Sequence, residues 1–292
     1  MVEEPSKEVR VQERMDPFSM EALTRAWRAV RANGGGPGVD GVDIARFEAR
    51  LEEELTTLSR ELRAGTYQPR PALRIFIPKP HGGLRPMAIW ALRDRVAQRA
   101  VYEALLPFFE PMFLDCSHGF RPGRSVATAV EAVKKARDAG RRWVLDADIQ
   151  DCFERIDPRR LMERVRARVR DRRLVRLVER WVFAGLLQAD GRIRAAGAAQ
   201  GGVLSPLLAN IYLHSFDQTI IKHGFYLVRY ADDFVIMCRS QNEALRAQQV
   251  AEQALHALGL KLHPHKTRIV SFDQGFKFLG YFFVRDEIYC LT

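Results

Sequence analysis

The sequence predicts an α+β fold in which an antiparallel, ferredoxin-like sheet packs on helices. Three observations predict it. Leu227 to Met237, LVRYADDFVIM, sets two apolar runs rich in β-branched and aromatic residues on either side of Asp232 and Asp233, with room for only a hairpin turn between them. Arg141 to Ile149, RRWVLDADI, reads as a buried strand. Apolar helices are expected from about Val203 to Ile221 and from Gln241 to Leu258, the second capped by Ser240 and stopped by Gly259. Together with a closing strand these give the order β-α-β-β-α-β, which lays the strand ending at Asp148 beside the hairpin.

Composition bounds the function. A chain of 292 residues that is 47% hydrophobic can bury a sizeable core in one large domain or two lobes. The net charge of +10, carried mostly by arginine, points to a polyanionic partner, because the planar guanidinium fork suits phosphate. No stretch approaches the roughly 20 apolar residues of a membrane span. Cys116, Cys152, Cys238 and Cys290 form no C-x-x-C pair, which excludes a zinc ribbon and indicates reduced thiols. The opening MVEEPSKEVRVQER lacks the apolar core of a secretory signal, so a cytoplasmic protein is expected.

From the start, the first fifteen or so residues are polar and no packed structure is expected of them. A helix follows over Phe18 to Ala32, with Leu23, Trp27 and Val30 on one face, and ends at Asn33-Gly34-Gly35-Gly36. That glycine run lacks the G-x-x-x-x-G-K-[ST] pattern, which favours a helix stop over a phosphate cradle. A second helix is predicted from Ile44 to Arg63, with Phe47, Leu51, Leu55, Leu58 and Leu62 inward and Gly65 at its end. Tyr67 to Ile89 reads as strand ALRIFIP, turn KPHGG and strand LRPMAI. Lys79 and Arg85, six residues apart, would meet at the tip, as a clamp for a triphosphate or as two solvated charges. The helical period of Leu92 to Phe109 assigns Val96, Ala100, Val101, Leu105 and Phe109 to the core. The loop DCSHGFRPGRS places Arg121 and Arg124 beside an aromatic residue, which suits phosphate contact, before a helix from Val126 to Ala139.

Asp146 and Asp148 lie two apart and so share a strand face. A carboxylate ending an apolar strand is costly unless exposed, paired or metal-bound, which marks a site. Pro158 to Arg180 is the densest basic segment, one or two helices whose arginine face would bind nucleic acid or lie solvated with Glu-Arg pairs. A short hairpin is expected at Gln188 to Ala196 around Asp190-Gly191, and Gly201-Gly202 forms a turn through which backbone can approach a ligand. Two strand-like runs, LKLHPHKTRIVSF and FKFLGYFFV, finish the chain. An Asp-Asp pair at a turn is by itself common turn chemistry. Asp148 supplies the third carboxylate, and such a group suits Mg²⁺, which prefers oxygen ligands at about 2.0 to 2.1 Å and serves phosphoryl transfer in pairs.

Read in order, these blocks resemble a bacterial reverse transcriptase of the group II intron, maturase-like type, from Asn33 to Val284. NGGGPGVDGVD is similar to the family's N-terminal signature, IPKPHGGLRP and FEPMFLDCSHGFRPGRS to its fingers motifs, and DADIQDCFERID and RYADDFVI to its two catalytic blocks. QGGVLSPLLANIYLHSFD resembles the block under template and nucleotide, and LGLKLHPHKTRI and FKFLGYFF the last palm motifs. The resemblance implies a right-hand polymerase: an N-terminal helical extension over 1–66, fingers over 67–140 with part of the palm helices near 93–115, and a palm over 141–292. It implies an RNA-directed DNA polymerase that joins dNTPs to the 3′-OH of a DNA or RNA primer on an RNA template. Asp148, Asp232 and Asp233 would bind two Mg²⁺ ions, with Mn²⁺ as a substitute. Lys79 and Arg85 would contact the triphosphate, Phe153 would abut the sugar, and Gln200 and Gly201 would line the nucleotide pocket. Tyr230 would sit near the primer end and Lys266 near the leaving pyrophosphate, while Asp146 stays structural.

Ala199, Cys152 and His118 depart from the family's Pro, aromatic and Tyr at those positions, and leave the carboxylates intact. The chain stops soon after the last palm motif, so a thumb is not expected within it and a partner would supply one. Two other functions stay open on the sequence: untemplated or protein-primed DNA synthesis in a defence or CRISPR-linked system, and a non-catalytic RNA-binding factor.

Overall fold

A computed structural model describes residues 16–78, 83–194 and 198–291. Helix α1 (Met20–Asn33) starts where the Ser19 hydroxyl accepts the Ala22 amide and stops at Gly34. The single helix expected over Ile44 to Arg63 is two, α2 (Ile44–Glu48) and α3 (Leu51–Ala64). The reason is local: Arg50 leaves helical geometry, and Glu52, Glu53 and Glu54 then stabilise a fresh helix N-terminus. Phe47 at the break packs against Trp27 of α1, ring centroids 4.7 Å apart.

Strands β1 (Ala72–Pro78) and β2 (Leu84–Ile89) form the expected hairpin, with Ile77 opposite Arg85. Its turn, with Lys79, lies outside the described residues. Helix α4 (Leu92–Phe109) matches its periodicity and buries all five predicted core residues, and α5 (Val126–Asp138) begins with a Ser125–Thr128 capping box. After β3 (Trp143–Asp148) and the one-turn α6 (Cys152–Arg155), the basic segment divides into α7 (Pro158–Arg168) and α8 (Arg172–Phe183), capped by Asp157 and Asp171. The short strands β4 (Leu186–Leu187) and β5 (Ile193–Arg194) join the first hairpin, β4 parallel to β1, in the order β2-β1-β4-β5.

Helix α9 (Ser205–Lys222) leads to β6 (Tyr226–Tyr230), β7 (Asp233–Cys238) and α10 (Gln241–Ala257). The two terminal runs differ from expectation, since they yield three strands, β8 (Arg268–Ser271), β9 (Phe276–Phe278) and β10 (Tyr281–Val284), and a further strand, β11 (Glu287–Cys290), follows them. Leu279 and Gly280 both take positive φ, the requirement of a tight hairpin turn, and so fold FKFLGYFFV back on itself. Strands β9 to β11 form a separate sheet.

The central sheet, β6-β7-β3-β8, is antiparallel throughout and has the expected β-α-β-β-α-β connectivity. Strand alternation sorts its two faces. Leu145, Ala147, Phe234 and Ile236 join the large core shared with α9 and α10, whereas Val144, Val235 and Met237 pack with Ala129, Val133 and a group of phenylalanines, Phe272, Phe276 and Phe283. Asp146, Asp148 and Asp233 fall on this second face by the same alternation. No helix among the described residues is long and apolar enough to cross a membrane.

Candidate active site

The hairpin β6–β7 turns through Ala231 and Asp232, with Tyr230 and Asp233 paired across its mouth. The turn was expected to carry both aspartates; only Asp232 is in it. Asp233 is already in the ladder and stands directly opposite Asp148 of β3. Ala231 has φ 59, a left-handed conformation that costs a non-glycine residue about 1 to 2 kcal/mol. The turn keeps this shape because its backbone is held on several sides. The Ile149 amide donates to the Asp232 carbonyl at 3.2 Å, and the Arg229 guanidinium donates to the Ala231 carbonyl at 2.9 Å.

Asp148, Asp232 and Asp233 are all half-buried at one end of the sheet. Lys266 makes an ion pair with Asp148, delivered by a loop whose His263 amide donates to the Asp148 carbonyl at 2.8 Å. Burial and then the charge of Asp148 push the Asp232 carboxyl upward, while Lys266 and Arg85 oppose them. For Asp233 the same two causes, with Asp146 and Asp232 added, raise the carboxyl to about 7. Asp146, expected to be structural, is taken up by Arg268, whose Nε lies 2.9 Å from its Oδ2.

Carboxylates pushed upward by one another form a site that a cation would relieve. Neither Asp232 nor Asp233 has a side-chain partner among the described residues. Among the described residues no three His, Cys, Asp or Glu side chains converge closely enough to enclose an ion by themselves. Mg²⁺ is generally held through one or two carboxylates and completes its shell with waters and substrate phosphates.

The acids open into a cleft of about 1190 Å³ whose walls include Arg85, Phe153, Gln200, Gly201, Tyr230 and Lys266. The fold thus brings to one place every site residue predicted within the described residues; Lys79 lies outside them. Phe153 is 9% exposed and forms wall rather than surface. Gly201 does more than admit a ligand: with φ +107, a Cβ there would lie 2.5 Å from the Ala88 carbonyl oxygen of β2. The Ala88 amide in turn donates to the Gln200 carbonyl at 2.7 Å. The turn is therefore bonded to the β1–β2 hairpin.

Other expectations change. Arg121, proposed from sequence for phosphate contact, is buried and spent internally on Glu110 and on the Leu114 and Ser117 carbonyls. Arg124 pairs with Asp115. No sequence expectation covered Arg229, Asp217, Asn210 and Ser117, which meet beneath the Ala231–Asp232 turn. A signal existed: Arg229 interrupts the apolar strand YLVRY, and Asp217 the apolar helix of LHSFDQTI.

Residues 77–283 match the model of a family described as reverse transcriptase (RNA-dependent DNA polymerase). Protein YkfC of Escherichia coli (strain K12) is 39% identical over 311 residues, which span 91% of this chain and 81% of that protein. The Group II intron-encoded protein LtrA of Lactococcus lactis subsp. cremoris is 38% identical over 189 residues, 64% of this chain but only 31% of its own length. Among solved structures, a telomerase from Candida albicans, in complex with a TWJ fragment of telomeric RNA, aligns with a TM-score of 0.55 at 14% identity. That alignment covers 84% of this chain and 50% of the telomerase chain, a likeness of fold alone.

Proposed function

Since the chain belongs to the reverse transcriptase family, we propose that its cleft extends a primer 3′-OH with dNTPs on an RNA template, releasing pyrophosphate. The observation that carries this reading is the register of Asp148 against Asp233, with Asp232 on the adjoining turn. These three would hold two Mg²⁺ ions, for which Mn²⁺ would substitute. When bound, the ions would stabilise the attacking and leaving oxygens of the displacement.

The remaining roles fall to the chain's own side chains. Arg85, with Lys79, would grip the triphosphate. Lys266, the one cation paired with Asp148 among the described residues, is placed to meet the leaving pyrophosphate. Gln200 and Gly201 would line the nucleotide pocket and Tyr230 would support the primer end. We assign the helical extension to 1–66, fingers to 67–140 and palm to 141–292, with β4 and β5 lent to the fingers sheet. The protein would work in the cytoplasm on RNA.

The test is primer extension on poly(rA)/oligo(dT) with Mg²⁺. Incorporation of dTTP that depends on the template is expected; equal product without template would overturn the reading in favour of untemplated synthesis. Phe153 should exclude the ribose 2′-OH by its bulk. Phe153→Ala is then expected to raise the ratio of rUTP to dTTP incorporation about 10- to 100-fold, the effect of a small steric change in an apolar pocket. An unchanged ratio would remove Phe153 from that role.

The acids also predict a pH dependence of metal stabilisation. Folded Asp233 keeps its proton up to about 7, against 3.8 for an ordinary aspartate, so folding takes up a proton between those values. This group's contribution to stability therefore falls as pH rises through 7, where its charge goes uncompensated. Mg²⁺ should consequently raise the melting temperature more at pH 8 than at pH 5.5, by scanning fluorimetry. Asp233→Asn should abolish the difference.

A further inference from the structure

Beneath the turn lies a side chain with no solvent contact. Arg229 of β6 is 0% exposed, as is its partner Asp217 of α9. All five guanidinium N–H groups are used: Nε and Nη2 on the two Asp217 oxygens at 2.6 Å, Nη1 on Asn210 Oδ1 at 3.0 Å and the Ala231 carbonyl at 2.9 Å, and Nη2 also on Ser117 Oγ at 2.9 Å. The same residue is clamped through its backbone, donating to the Cys116 carbonyl at 2.7 Å and accepting from the His118 amide at 2.8 Å. Asn210 passes the connection on by donating to the Gly119 carbonyl at 2.9 Å. Gly119 is pressed against the turn from the other side, where a Cβ would lie 2.5 Å from the Ala231 nitrogen.

Asp217 takes two of the five bonds; the other three, which full burial obliges to find partners, go to Asn210, Ser117 and the Ala231 carbonyl. The two-residue hairpin imposes a left-handed conformation on its first position, which here is an alanine and not a glycine. Both features converge on Ala231, the residue immediately before Asp232. We infer that Arg229 is a positioning residue: its guanidinium, oriented by Asp217, Asn210 and Ser117, holds the strained Ala231 turn at the height that presents the Asp232 carboxylate to the metal. Through Asn210 and the 115–119 loop, it ties that height to the cleft wall at Phe120, whose ring lies 5.8 Å from Tyr230. This inference rests on the reading of Asp232 as a metal ligand.

The experiment measures Mn²⁺ binding by electron paramagnetic resonance, which needs no turnover, beside dTTP incorporation and thermal unfolding. Arg229→Lys keeps the charge against Asp217, but one ammonium cannot reach all the partners at once. Asn210→Ala leaves the ion pair whole and removes one orienting contact. Both variants are expected to bind Mn²⁺ at least five-fold more weakly per folded molecule, and to lose at least ten-fold in kcat with KM for dTTP within two-fold of wild type. Ala231→Gly, in which left-handed φ is free of the alanine penalty, should recover part of the lost Mn²⁺ affinity in the Arg229→Lys background. Wild-type Mn²⁺ affinity and kcat per folded molecule in both variants would reduce Arg229 to a fold-stabilising pair and overturn the inference. If Arg229→Lys does not fold, Asn210→Ala decides alone. A wild-type chain that binds Mn²⁺ but incorporates no nucleotide would sink the polymerase reading and leave this one standing; no Mn²⁺ binding at all would sink the ligand assignment beneath both.

Discussion

Asp232→Ala is expected to lower dTTP incorporation by about 10³-fold, near the loss of 4 kcal/mol of transition-state stabilisation that removal of a metal-bridging carboxylate implies. The same change should leave the melting temperature where it was or raise it. Asp232 has no side-chain hydrogen-bond partner among the described residues, and burial together with the charge of Asp148 disfavours its ionised form against a smaller attraction from Lys266 and Arg85. Removing it therefore deletes more repulsion than attraction. Loss of activity without loss of stability distinguishes a site that holds charge for function from one that holds the fold together. Activity above a tenth of wild type, normalised to folded protein, would contradict the assignment.

Asp217→Ala should have the largest effect on stability, about 3 to 5 kcal/mol, because it leaves the fully buried Arg229 guanidinium without its carboxylate. Against the 5 to 15 kcal/mol typical of a whole domain, that would unfold a substantial share of molecules under mild denaturant. Urea unfolding monitored by circular dichroism checks it. The double variant Asp217→Leu with Arg229→Met replaces both charges by apolar groups and should recover much of the loss, since a well-packed apolar pair often matches a buried ion pair. Recovery of stability without recovery of incorporation is the expected pattern, because no methionine can hold the Ala231 carbonyl. A double variant that regains both would show that the pair serves packing alone.

The two sets of residues differ in how they could be found. Asp148, Asp232 and Asp233 were legible because each ends or joins an apolar run with strand period, and alternation already places Asp146 and Asp148 on one face. The order of helices and strands supplied their convergence, and the cap at Ser240 marked where α10 begins. Arg121 was read with Arg124 as a phosphate contact, and Arg229 drew no expectation at all. Composition cannot separate an arginine that faces solvent from one that Glu110 or Asp217 neutralises inside the core. The break before α3 and the β9–β10 hairpin were missed for a different reason: each depends on one or two backbone angles, at Arg50 and at Leu279-Gly280, that the apolar pattern spans without a gap.

The wall residues Phe153, Gln200, Tyr230 and Lys266 came from the resemblance to the family's motifs, whereas by itself the sequence determined the α+β class, the antiparallel sheet and the three carboxylates. These follow from local periodicity, caps and turn chemistry, which act within a few residues. Only the tertiary structure decided that Asp233 stands in the ladder while Asp232 occupies the turn, that Gly201 is required by the Ala88 carbonyl, and that one of five hydrogen bonds from the buried Arg229 falls on the Ala231 carbonyl of the turn. The physical reason is that these contacts join residues far apart in the chain. Ser117 and Arg229 are 112 positions apart, and no periodicity extends over such a distance.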